Sequence, residues 1–335
     1  MGANVVGLGR RPDSQPSLFE AAQVGRGLVS VIGDVRDQGQ VHDVFQAHEP
    51  EFVFHLAAQP LVRRSFREPV ETFSTNLMGT VHLLEAARRC PSVRAIVVAT
   101  SDKCYDNREW IWGYRESDPL GGHDPYSASK GCAELATSAY RRSFFSGPSS
   151  AAVASGRAGN VVGGGDWAED RLVPDIVRSL SRNELVVLRR PRAVRPWQHV
   201  LEPLRGYLML AARLCEDPSR FADGWNFGPD SQAIVPVADF ADRIISQWGS
   251  GRCVIQEDPQ GLHEATLLAL DCSKARQVLG WRPLLSLEET VAMTADWYRD
   301  FYRAPGCAPR LLERQIESYE QRIDAQQLAT SGAAA

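Results

Sequence analysis

Two stretches decide the fold when they are read together: Ala95-Ile-Val-Val-Ala-Thr-Ser-Asp-Lys-Cys-Tyr105 and, further along, Tyr126-Ser-Ala-Ser-Lys130. The run Ala95–Thr100 is apolar without alternation, as a strand buried on both faces of a parallel sheet requires. It ends in Ser101-Asp102-Lys103. Tyr126 and Lys130 stand at i and i+4 where a helical pattern begins, so they share one helix face. A nearby ammonium favours the charged form of a phenol, which suits such a tyrosine to acid/base work. Open α/β sheets hold their ligands beyond the carboxyl ends of the strands, where Ser101 falls. Tyr-x-x-x-Lys alone is a common chance match; the order of strand, Ser, Tyr and Lys is what carries weight.

Working outward, apolar runs alternate with helical patterns through the first half of the chain. Asn4–Leu8, Leu28–Ile32, Phe52–His55, Ala95–Thr100 and Ala151–Ala154 read as short strands. Phe73, Leu77, Val81 and Leu84 recur at helical spacing, and residues 126–145 form a second amphipathic segment. This alternation predicts an α/β fold with a doubly wound parallel sheet, Rossmann-like, and a smaller C-terminal substrate lobe. Pro174, Pro191, Pro196 and Pro203 punctuate the chain after residue 165. The expected division is 1–165 for the nucleotide-binding part, with a return segment at about 225–245 opening on Trp225-Asn-Phe-Gly-Pro229. Residues 166–224 and 246–310 form the lobe. Residues 311–335 form a helix or tail, with a disordered end from Gln326.

Composition excludes several classes. Hydrophobic residues make up 44% and charged residues 23% of the 335, as in ordinary soluble domains. A net charge of −4 makes no electrostatic case for nucleic acid or an anionic membrane. No run of about eighteen apolar residues exists to span a bilayer, and Met1-Gly-Ala-Asn4 leads into the first strand without a signal peptide. The seven cysteines are scattered, odd in number and free of any Cys-x-x-Cys. They support neither a metal site nor a disulfide framework, and fit reduced thiols in a cytoplasmic enzyme.

The motifs Gly33-Asp-Val-Arg-Asp37, His55-Leu-Ala-Ala-Gln-Pro-Leu-Val-Arg63, Thr100-Ser-Asp-Lys-Cys-Tyr105, Asp124-Pro-Tyr-Ser-Ala-Ser-Lys130, Arg157–Trp167 and Arg195-Pro-Trp-Gln-His-Val-Leu-Glu-Pro-Leu204 add specificity. Over about residues 3–305 the chain resembles the extended short-chain dehydrogenase/reductases that act on nucleotide sugars, and among them the CDP-glucose 4,6-dehydratases. The resemblance implies NAD as cofactor, a nucleotide sugar as substrate, and a homodimer formed through the helix of Phe73 and the helix after Tyr126. It assigns Ser101, Asp102, Lys103, Tyr126 and Lys130 to catalysis. It assigns Asp34, Val35, Leu56, Ala57, Ala58, Gln59 and Thr100, with Tyr126 and Lys130, to the cofactor, and Arg157, Asn160, Arg195 and His199 to the substrate. In these terms Tyr126 takes the C4 hydroxyl proton, Asp102 is the acid towards C6, and Lys103 stands where relatives carry a base for C5. Each has a plainer reading: Asp102-Lys103 as a solvated turn pair, Arg195 as a surface charge, Asn160 as a turn cap, His55 as a packing residue.

The chain departs from that family at its start. No Gly-x-x-Gly-x-x-Gly occurs to cradle a pyrophosphate at a helix N-terminus. Met1–Val6 resembles the entry to the family's second strand, so the first strand and its glycine loop are expected to be missing. A C4 epimerase and a truncated, non-catalytic paralogue therefore stay open beside the dehydratase. Arg10 and Arg11 follow the first predicted strand, where an arginine can meet the 2′-phosphate of NADP; the family leans to NAD.

Overall fold

The computed structural model describes residues 2–147, 150–256 and 266–332. Its strands are β1 Val6–Gly9, β2 Val29–Ile32, β3 Phe52–His55, β4 Ala95–Ala99, β5 Ala152–Ala158, β6 Asn160–Val162, β7 Val186–Leu188, β8 Val194–His199, β9 Gly224–Phe227, β10 Ile234–Pro236 and β11 Cys253–Ile255. The strands expected from apolar runs are all present, with ends shifted by a few residues.

The main sheet is fully parallel in the order β3-β4-β5-β9. β4 lies inside it, and Ala95, Ile96, Val97 and Val98 have almost no exposed surface. That two-sided burial is why the run lacks alternation. One face is covered by helices Gln38–His48 and Gly79–Arg88, through Val41, Phe45 and Leu84. The other is covered by helix Leu201–Glu216 and the turn Ala275–Leu279, through Tyr207, Leu210, Leu214 and Leu279.

β1 pairs with β2, also in parallel, but in a separate two-stranded sheet. No ladder joins β1 to β3 among the described residues. Leu8 of β1 nevertheless packs on the same apolar cluster as Val53 of β3. The doubly wound sheet is therefore interrupted between β1 and β3, where the sequence reading places the family's first strand. Val29, Ile32, Phe52 and Leu56 around this interruption remain exposed.

A second core forms the lobe. Helix Leu172–Ser181, helix Val237–Trp248 and helix Leu287–Arg303 pack there with Trp167 and Trp197. The expected boundaries need correction in three places. Helix Leu201–Glu216 belongs to the sheet, because its apolar side lies on β4 and β5. Helix Val237–Trp248 belongs to the lobe, because Phe240, Ile244 and Ile245 pack into the lobe core. The segment from Gln326 is no loose end as far as Gly332, since helix Ala308–Gly332 runs through it. Gln326 also accepts from Arg205 at 3.2 Å.

Candidate active site

Helix Pro125–Phe144 is placed by its own start. Asp124 caps it, accepting from Ser127 N (2.9 Å), and Pro125 occupies the first turn with a φ already suited to a helix. Tyr126 and Lys130 consequently fall in the first two turns, on the side facing the end of β4. Beyond β4, Ser101 caps a short 3₁₀ turn, Asp102–Cys104, by accepting from Lys103 N at 3.2 Å. Ser101, Asp102, Tyr126 and Lys130 are all buried.

Asp102 is 3% exposed. Burial raises its pKa, against the opposing pull of Lys103, Ser101 and Arg195. An added Cβ on Gly159 would come within 3.0 Å of both Asp102 Oδ2 and Pro196 Cγ. Glycine at 159 thus lets the acid, β6 and β8 approach one another. Ser101 Oγ donates to Asp102 Oδ1 at 3.0 Å, and a hydrogen bond from Ser101 also bears on Tyr126. Burial pushes the Tyr126 phenol up to about 12, with Ser101 and the charge of Arg171 acting downward. Burial likewise pulls the Lys130 ammonium down to about 8. Lys103 opens onto a cleft lined also by Asn107, Glu109, His123, Asp124 and Leu268.

The residues assigned to ligands divide. Asn160 lies half-buried beside Gly159, and Arg195 is near enough for its charge to act on Asp102. His199 is buried on β8, with Nε2 unpartnered among the described residues and its pKa lowered to about 4 by burial. Arg157 is held inside the protein: its guanidinium donates to Glu134 Oε2 (2.7 Å), Tyr105 Oη (2.7 Å) and Glu116 O (3.1 Å), with Nε unpartnered among the described residues. Two residues assigned to the cofactor are likewise held at their side chains. Gln59 donates to Thr72 and accepts from Leu61 N, and Thr100 donates to Glu134. Asp34 holds Arg36 through its carboxylate, and Val35 packs on Gly79. Leu56, Ala57 and Ala58 follow β3 at the interruption of the sheet, with Leu56 exposed.

His55 is neutral, its pKa lowered to about 3 by burial and by Lys130, and its ring meets Thr80 at 3.0 Å. Sequence reasoning missed Glu134, Arg171 and Tyr207. Glu134 had a signal, an acid inside the buried face of helix Pro125–Phe144. Arg171 and Tyr207 reach Tyr126 from remote segments and had none.

A nicotinamide dinucleotide fits this site at its reacting end. Lys130 Nζ makes one hydrogen bond among the described residues, to Ala99 O at 3.3 Å. Its remaining N–H groups suit a ribose hydroxyl. The pyrophosphate end has no glycine-rich cradle in this sequence.

A parallel sheet with a serine at the end of a central strand and a Tyr-x-x-x-Lys helix beside it defines an extended short-chain dehydrogenase/reductase. Residues 2–294 match the GDP-mannose 4,6 dehydratase family model, and the chain belongs to that family. It is 49% identical over 307 residues to CDP-glucose 4,6-dehydratase of Salmonella typhimurium, covering 90% of this chain and 86% of the relative. Among solved structures, it resembles MoeE5 in complex with UDP-glucuronic acid and NAD (TM-score 0.74, 26% identity, 89% of this chain and 92% of that one). It shares the fold of UDP-glucose 4-epimerase from Thermotoga maritima (TM-score 0.77, 22% identity, 89% and 92% covered).

Proposed function

We propose that this chain is a CDP-glucose 4,6-dehydratase, converting CDP-glucose to CDP-4-keto-6-deoxyglucose by an internal NAD redox cycle. The 49% identity to the Salmonella enzyme supports the nucleotide and the sugar. The observation that carries the reading is Asp102: a buried carboxyl with raised pKa, one residue from Ser101 and one from Lys103. Oxidation at C4 needs only Ser101, Tyr126 and Lys130. An added acid and a neighbouring amine serve a further step, the loss of water.

Tyr126 takes the C4 hydroxyl proton while Ser101 hydrogen-bonds the same oxygen. Lys130 holds the phenolate by its charge. Lys130 would hold the ribose of a bound NAD, which would supply the reversible hydride chemistry needed at C4 and C6. The 4-keto group makes the C5 hydrogen acidic. Lys103 removes that proton, and Asp102 protonates the departing C6 hydroxyl. Asn160 and Arg195 hold the nucleotide sugar, a role supported by the effect of the Arg195 charge on Asp102 and by the place of Asn160 next to Gly159.

Substrate deuterated at C4 tests the reading. Mass spectrometry and NMR of the product should find the deuterium at C6, a mass lower by one water, and solvent hydrogen at C5. Label retained at C4 with the C6 hydroxyl intact would establish a 4-epimerase.

The enzyme acts in the cytoplasm, a placement supported by seven free cysteines. No helix among the described residues is long and apolar enough to cross a membrane. Two copies pair through the helical stretch 69–88 and helix Pro125–Phe144, which present Val70, Met78, Leu135 and Phe144 to solvent. Light scattering should give twice the chain mass of 37.0 kDa; a monomer would remove the dimer from the proposal.

A further inference from the structure

Glu134 stands one helical turn beyond Lys130 and has a side chain only 4% exposed. Its Oε1 accepts from Thr100 Oγ1 (2.5 Å), and its Oε2 accepts from Ser155 Oγ (2.8 Å) and Arg157 Nη2 (2.7 Å). Lys130 Nζ donates to the carbonyl of Ala99. Ala99 and Thr100 are consecutive at the end of β4 and lead directly into Ser101. An ammonium and a carboxylate one turn apart on a single helix therefore grip adjacent residues of the strand that delivers the catalytic serine.

The charges around the pair isolate what Glu134 does. His55 on β3 faces Lys130 and is neutral. Cys104, in the turn after Ser101, faces both Lys130 and Glu134; burial holds its thiol well above the usual range, hence uncharged. Arg157 on β5 and Arg141 on the same helix face Glu134 and favour its ionised form. Asp102, Asp124, Arg171 and Tyr207 face Tyr126 rather than Lys130. Cys104 and, after it, Glu134 oppose the loss of the Lys130 proton, and with the Cys104 thiol held neutral by burial, Glu134 is the one of the two that carries a charge.

We propose that Glu134 is a positioning residue of the reaction. Its buried negative charge keeps Lys130 in the ammonium form, and its grip on Thr100 holds Ser101 and Lys130 in register. This rests on the reading of Tyr126 and Lys130 as the proton-moving pair. Lys130 would otherwise stand in a buried site with only cations and neutral groups around it. It would lose its proton near neutrality, and with it the means of holding a phenolate.

The composition makes the test clean. The chain has three lysines, Lys103, Lys130 and Lys274. Protein labelled with carbon-13 at the lysine ε position gives three signals, and Lys130→Arg identifies the one to follow. In the parent it should titrate near pH 8. In Glu134→Gln its midpoint should fall by about one pH unit, the effect of losing an opposite charge one helical turn away in a buried site. Glu134→Asp, which keeps the charge with a shorter reach, should restore the midpoint towards the parent. The alkaline limb of the kcat profile should move with it.

If Glu134→Gln fails to fold because Arg157 is stranded, the double variant Glu134→Gln, Arg157→Gln leaves no charge over, and its midpoint should lie below that of Arg157→Gln alone. A midpoint unmoved between Glu134→Gln and the parent, or between the double variant and Arg157→Gln, would reduce Glu134 to a structural residue and overturn the proposal. The titration needs no turnover, so failure of the dehydratase reading would show separately, as a folded parent that titrates as expected and converts no substrate.

Discussion

Replacing Asp102 by asparagine separates the two halves of the proposed chemistry. Asparagine keeps the shape that fits between Gly159 and Pro196, and its amide oxygen still accepts from Ser101. What it cannot do is give a proton to a departing hydroxyl. A positioned general acid contributes a factor of about 10²–10⁴, which is about 3–5 kcal/mol of barrier. Dehydration should fall by that factor. Oxidation at C4, which uses Ser101, Tyr126 and Lys130, should continue, so reduced nicotinamide should accumulate and be visible in its near-ultraviolet absorbance. Stability should move the other way. Burial raises the folded-state pKa of Asp102, so this residue's contribution is best at low pH and is lost as pH rises through that pKa. The uncharged amide carries no such loss. The variant should therefore match the parent in acid and exceed it in urea midpoint at neutral pH. Dehydration by Asp102→Asn at the parent rate would refute the assignment of the acid. A variant less stable than the parent at neutral pH would refute the claim that the carboxylate is desolvated at a cost.

Three further outcomes follow from the same geometry. Arg157→Met should lower unfolding stability by about 3–5 kcal/mol, because it strands the buried Glu134 carboxylate; a urea midpoint within error of the parent would show that Glu134 finds another partner. Tyr319→Phe removes a 2.7 Å donor from the buried Glu202 carboxylate, which Leu284 N and Leu285 N also serve. The loss should be about 1–3 kcal/mol. The Tyr319 bond favours the ionised form, so the loss should grow as pH rises above the carboxylate range and shrink towards acid; a pH-independent difference would contradict this. Calorimetry should find weak NAD binding to this chain, since the reacting end of the site is built but no glycine-rich loop cradles the pyrophosphate. Tight binding would mean that other backbone N–H groups do that work.

The parts of the site legible in the sequence are those set by local rules. Asp124-Pro125 announces a helix start, Tyr126 and Lys130 share a face by spacing, and the unbroken run Ala95–Ala99 can only be a strand covered on both sides. The parts not legible there depend on which buried partner a side chain meets. Arg157 sits in a strand full of glycine and alanine, and nothing in that strand says that Glu134, 23 residues earlier, will claim it. Thr100 and Gln59 look available for a ligand until the structure shows each hydroxyl or amide already bonded. Lobe boundaries failed for a related reason: an amphipathic helix such as Leu201–Glu216 carries an apolar side but no label for the core that side will join.

The polar network beneath the site ties several of these residues together. Thr100, Glu134, Ser155, Arg157, Tyr105 and Asn226 form a bonded chain from the end of β4, across β5, to β9. Every member is buried or partly so, and a half-satisfied network in that environment is costlier than an apolar core. Its retention therefore calls for a function that an apolar core would not supply. A hydrophobic replacement would pack β4 against β5 equally well, but it would leave Lys130 without an anion and the Ser101 turn without its anchor at Thr100. On the proposal made for Glu134, Thr100 and Arg157 serve to hold the reactive group's charge and place.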